Sequence, residues 1–108
     1  MVLTRDFKKT IQARVQRDRA FRQELLKEAV ECMLSGDMGT GKTILRDYIN
    51  ATVGFPKLAE ATNRSSKSLM RMFGPGGNPQ ARNLFEVIAF LQRAEGVKLV
   101  IRAGKAVA

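Results

Sequence analysis

Apolar positions along this chain recur mostly every three or four residues, which predicts a protein built of helices. Phe7, Ile11 and Val15 mark a first helix with a narrow stripe, and Thr4 suits its N-cap. Asp18 restarts the pattern as a second cap. Phe21, Leu25, Leu26, Ala29, Val30, Met33 and Leu34 then form a wider stripe that ends at Ser35-Gly36, where glycine suits a C-terminal cap. Residues 36–43 read as a Gly-rich connection with Thr40 as the next N-cap, and Ile44, Leu45, Tyr48, Ile49, Thr52 and Val53 carry a third helix to Gly54.

Beyond Gly54 the pattern shortens. Leu58, Ala59 and Thr62 mark a short helix, Asn63 a tight turn, Ser65 or Ser66 a new cap, and Leu69, Met72 and Phe73 one face of a second short helix. Asn78-Pro79 is expected to cap a helix running through Leu84, Phe85, Ile88, Leu91 and Ala94 to Gly96. After it the period changes to two: Val97, Leu99 and Ile101 alternate with their neighbours, which predicts a short C-terminal β-strand. An isolated strand leaves its backbone groups unpaired, so a partner strand is expected, such as its copy in a second subunit.

The length, 108 residues, suits one compact domain. Within it, residues 1–53 are expected to pack as N-terminal helices on the core of residues 54–102. The fold class is mainly α. With no histidine and one cysteine, Cys32, a zinc site and Ser/His or Cys/His catalysis lack their residues, so neither an enzyme nor a cofactor is expected. A lone cysteine suits a reducing compartment. The longest apolar run, residues 87–91, is far below the roughly 20 residues of a membrane span, and a cytoplasmic protein without membrane attachment is expected.

Residues 36–43, Gly-Asp-Met-Gly-Thr-Gly-Lys-Thr, match the phosphate-loop pattern G-x-x-x-x-G-K-[ST]. A working phosphate loop follows a buried parallel strand, yet the preceding residues 24–34 have helical spacing and one β-branched residue, Val30. Glu60, Glu86 and Glu95, which would have to supply a second magnesium ligand, all sit in helical patterns. Nucleotide binding through Lys42 and Thr43 is therefore the alternative reading, together with a protein-interaction module that binds no DNA. The preferred reading of residues 36–43 is a connection between helices.

Charge gives the preferred function its direction. Lys and Arg outnumber Asp and Glu by 19 to 10, and the densest excess lies in residues 55–82, with Lys57, Arg64, Lys67, Arg71 and Arg82 against Glu60. A polyanion such as double-stranded DNA is the natural partner. The two short helices and their turn have the layout of a helix-turn-helix, whose second helix presents its N-terminal residues to base edges in the major groove. With Leu69, Met72 and Phe73 inward, Ser66, Lys67, Ser68 and Arg71 are the candidates for base readout. Arg71 has the fork geometry that grips guanine. Lys57, Arg64, Asn78 and Arg82 are better placed for backbone phosphates, which set register without reading sequence.

The run Leu58-Ala59-Glu60-Ala61, followed by Ser65, Leu69, Arg71, Gly77-Asn78-Pro79 and the apolar helix from Leu84, resembles the lambda-repressor-like (Xre) helix-turn-helix domain. More narrowly, Ser68-Leu69, Gly76-Gly77-Asn78-Pro79-Gln80-Ala81-Arg82 and Gly96-Val97-Lys98-Leu99 resemble the antidote proteins of bacterial toxin-antitoxin modules. The resemblance covers about residues 54–102. It implies a dimeric DNA-binding repressor of its own operon and, in antitoxin members, a small ribonuclease-type toxin as partner. Asn63 stands where the wider family favours glycine, and Arg64 where it often has a buried aliphatic, which implies a more phosphate-directed turn. Residues 1–53 carry no motif that maps onto toxin neutralisation.

Overall fold

The computed structural model describes residues 5–106, which contain six α-helices and no strand. In chain order these are α1 (Arg5–Arg17), α2 (Arg19–Leu34), α3 (Met38–Ala51), α4 (Phe55–Thr62), α5 (Ser66–Met72) and α6 (Ala81–Glu95). Helices α1, α2 and α3 pack on one another, and α4 packs on both α5 and α6. One core cluster joins the two groups: Leu26, Leu45, Ile49, Leu58, Leu69, Val87 and Leu91 are wholly enclosed in it. Large aliphatic side chains at helical spacing thus converge from α2 through α6, which is what makes a mainly α chain of this size bury its apolar surface. No helix among the described residues is long and apolar enough to cross a membrane.

The caps explain most helix boundaries. The Asp18 carboxylate accepts from the Phe21 N–H at 3.0 Å, starting α2 where the pattern restarts. Thr4 and the side chain of Phe7 lie outside the described residues, while Val15 on the same stripe is buried. At α3 the expectation of Thr40 as cap needs correcting. Asp37 is the cap, its carboxylate accepting from the Thr40 N–H at 3.1 Å, so the helix starts three residues earlier. An aspartate satisfies an orphan amide of the first turn with a full negative charge, and Thr40 is the residue whose amide needs it.

Gly41 lies inside α3, where α2 passes close by. A Cβ there would lie 2.6 Å from Met33 Cγ and 3.0 Å from the Ala29 carbonyl oxygen. Glycine is what lets the two helices approach, and Gly41 is buried between them.

Gly54, at φ 79°, turns the chain into α4, and the Phe55 ring meets Phe73 at the end of α5 with centroids 6.3 Å apart. Asn63 adopts left-handed backbone (φ 54°, ψ 46°) at the end of α4, and the following Arg64 N–H donates to the Ala59 carbonyl at 2.9 Å. Asparagine is among the few side chains that visit this region readily. Ser65 is then extended, its hydroxyl accepting from the Ser68 N–H at 3.0 Å, which starts α5.

Two expectations for the C-terminal part are overturned. Helix α6 begins at Ala81 with an extended Gln80 as its cap, so Asn78-Pro79 belongs to the approach and does not start the helix. A residue before proline is pushed away from helical backbone, and the Gly74–Gly77 stretch is itself held against α5, which carries Asn78 past the position a cap would need. Residues 97–106 form no strand. Gly96 closes α6 in the left-handed region, Val97 and Leu99 pack against the core, and the Leu99 N–H donates to Gln92 Oε1 at 2.8 Å. The alternating pattern is present, but among the described residues no second strand completes a ladder.

Candidate nucleic-acid interface

Helix α5 separates its residues as its short pattern dictates. Leu69 is buried in the core and Met72 packs against it, while Lys67, Ser68, Met70 and Arg71 are exposed and Ser66 is half-buried. Lys67 and Arg71 lie one helical turn apart, so their side chains share a face. The result is a basic, polar outer surface on a rigidly seated helix: Ser65 caps its start, and the buried Phe73, against Phe55, fixes its end. Such an arrangement is able to donate hydrogen bonds to base edges or phosphates. No acid in the described residues is paired with Lys67 or Arg71 by a salt bridge.

The four phosphate candidates fall in different settings. Lys57, in the first turn of α4, is exposed, as are Asn78 in the loop after α5 and Arg82 in the first turn of α6. Arg82 makes a long contact to Glu86, 3.5 Å, with its own side chain almost free in solvent. Arg64 is engaged within the molecule. Its Nη2 donates to Asn83 Oδ1 at 2.6 Å and to Glu86 Oε2 at 2.9 Å, and its Nε is enclosed without a partner. The hydrogen bond from Arg64, reinforced by the charges of Arg64 and Arg82, holds the Glu86 carboxyl below its usual range. Arg64 therefore ties the turn before α5 to α6, a role that residues 22 positions apart in sequence could not announce.

A second tie lies behind the interface. Lys42 is buried, at 8% exposure, and its Nζ donates to the carbonyl oxygens of Gly77 at 2.6 Å and Gly74 at 3.2 Å. The residues of the phosphate-loop pattern thus form the end of the α2–α3 connection and the first turns of α3, with a helix before them. Thr43 Oγ1 donates back to the Gly39 carbonyl at 3.0 Å. The lysine and threonine of the pattern are both turned to main-chain carbonyls of the protein itself.

Away from α5, Arg22, Tyr48 and Glu95 form a largely enclosed polar cluster joining α2, α3 and α6. Glu95 Oε1 accepts from Arg22 Nε at 2.6 Å and from the Tyr48 hydroxyl at 2.5 Å, and Arg22 Nη1 donates to the Val15 carbonyl at 3.0 Å. Burial alone would raise the Glu95 carboxyl, but the hydrogen bonds from Arg22 and Tyr48 together with the Arg22 charge hold it below its usual range. Burial and the bond to Glu95 push the Tyr48 hydroxyl well above the ordinary tyrosine range. A glutamate kept ionised and a tyrosine kept protonated have no proton to exchange near neutrality. The cluster borders an open cleft of about 360 Å³ that Gln16, Thr52 and Leu91 also line. Periodicity placed Tyr48 on an apolar face and gave no sign of its partner.

No protein-family model, curated protein or solved structure matches this chain.

Proposed function

We propose that the protein is a sequence-specific DNA-binding transcriptional regulator of the lambda-repressor-like helix-turn-helix type, acting as a repressor and as the antitoxin of a toxin-antitoxin module in the cytoplasm. The observation that carries this reading is the geometry around Asn63. One left-handed residue redirects the chain, Ser65 caps the next helix, and that helix buries Leu69 while leaving Lys67, Ser68 and Arg71 in solvent. Ser66, Lys67, Ser68 and Arg71 would read base edges, and Lys57, Asn78 and Arg82 would hold phosphates around them.

The homodimer belongs to the same proposal. Val100 and Ile101 are 80% and 76% exposed, beside Leu34 at 62%, in an apolar groove between α2 and the C-terminal residues. Pairing of residues 97–102 with the same residues of a second copy would cover these side chains and complete the ladder that one chain lacks. A small toxin protein is the further partner that the antitoxin resemblance implies.

Selection of bound fragments from a random or genomic DNA pool, repeated at two salt concentrations, tests the reading. The expected result is an enriched palindrome with half-sites about one helical turn apart. A pool that emerges unenriched at low salt would overturn it.

A further inference from the structure

The Lys42 contacts have no place in the function proposed so far, yet they converge on the loop that leaves α5. Lys42 Nζ reaches the carbonyls of Gly74 and Gly77 from α3, across 32 and 35 positions of sequence. The loop is also drawn tightly against α5 itself. The Gly74 N–H donates to the Arg71 carbonyl at 3.2 Å and the Gly77 N–H to the Gly74 carbonyl at 3.0 Å. A Cβ on Gly77 would lie 2.2 Å from the Arg71 carbonyl oxygen and 2.5 Å from that of Met72. Backbone atoms cannot yield that much, so only glycine allows the approach. Asn78 follows directly and is exposed.

A buried lysine needs hydrogen-bond acceptors, and here both that its Nζ meets are main-chain oxygens of a single loop. Held in this way, the loop cannot swing away from the end of α5. We propose that Lys42 is a positioning residue for DNA binding: it clamps residues 74–77 so that Asn78 meets a backbone phosphate in register with the face carrying Lys67 and Arg71. This rests on the DNA-binding reading above. It assigns the lysine of the phosphate-loop pattern to holding the protein's own carbonyls and, through them, a phosphate of DNA rather than of a nucleotide. Lys42 touches no DNA in this scheme and acts through the loop.

The test uses the full chain, the duplex enriched by selection and an unrelated duplex. Affinity is measured across several salt concentrations, well below the melting temperature, for wild type, Lys42→Met, Asn78→Ala and the double variant, and amide exchange is followed in the free protein. Lys42→Met should expose the Gly77 amide to faster exchange, weaken binding about tenfold on both duplexes and lower the log-log salt slope by about one. With Asn78→Ala present it should add almost nothing, because both changes remove one contact. Should Lys42→Met fail to fold, Gly77→Ala, which displaces the same loop without touching the lysine, carries the same expectations. A variant that melts lower but binds with wild-type affinity and slope, or losses that multiply in the double variant, would overturn the clamp while leaving the DNA-binding reading intact. Wild type that binds neither duplex would overturn both.

Discussion

Arg22 and Glu95, 73 positions apart, meet at 2.6 Å with the glutamate side chain only 5% exposed. Their contact closes the end of α6 onto α2, and the Tyr48 hydroxyl draws α3 to the same oxygen. Three helices that share an apolar core are thereby also held in one rotational setting, since a bond of this length tolerates little sliding. The charge on Glu95 is what the arrangement depends on.

Stability should accordingly fall in acid. Because the folded protein holds Glu95 below its usual range, as it does Glu86, unfolding takes up protons when the pH drops below the ordinary glutamate value. The stabilisation is fully present above that value, about 4.3, and is lost as the pH falls through the lower folded value. Thermal melts from pH 7 down to pH 3 should show this decline, and Glu95→Gln should flatten it. At pH 7 Glu95→Gln should cost about 2 kcal/mol, the usual worth of a hydrogen bond to a charged group. Melts of the variant that parallel wild type throughout would contradict the role assigned to Glu95.

Removing the outward side chains of α5 should harm binding and spare the fold. Lys67→Ala and Arg71→Ala are each expected to cost about 1 to 3 kcal/mol of specific DNA affinity, because neither side chain supports the core. The comparison is an affinity measurement on the selected duplex beside a thermal melt. Wild-type affinity in both variants would remove α5 as the reading element.

Binding should weaken steeply with salt. Lys57, Lys67, Arg71 and Arg82 are all exposed, and each phosphate they neutralise releases counterions. A log-log slope of several units is expected from titrations at increasing salt, and a flat dependence would argue against a phosphate-bound protein.

The turn at residue 63 should accept glycine and reject branched side chains. Asn63→Gly keeps the left-handed backbone at little steric cost, and its effect on stability should stay within roughly 0.5 kcal/mol. Asn63→Val should cost about 1 to 2 kcal/mol, since a β-branched residue crowds the following carbonyl there. Chemical denaturation of the two variants measures the difference directly.

Magnesium with ATP or GTP should give no micromolar binding in calorimetry. Lys42 Nζ and Thr43 Oγ1 already donate to main-chain carbonyls, and a helix precedes the loop where a phosphate loop has a strand. Tight binding abolished by Lys42→Ala would restore the nucleotide reading.

The helices, the stripe residues Leu26, Leu45, Ile49, Leu69 and Leu91, the caps Asp18 and Ser65 and the left-handed Asn63 were all legible in the chain, because each follows from spacing or from chemistry within four residues. The outward setting of Lys67, Ser68 and Arg71 follows from the same spacing once Leu69 is inside. Tertiary structure decided what depends on distant partners. Arg64, expected to reach phosphate, is held by Asn83 and Glu86; Lys42, which matched a nucleotide motif by letters, holds a loop 35 positions on; residues 97–102, patterned as a strand, remain unpaired. A period describes one element and the face it buries. Which donor meets which acceptor is set only when helices from separate parts of the chain are brought together, and for a buried lysine or arginine that meeting determines what the side chain is left free to do.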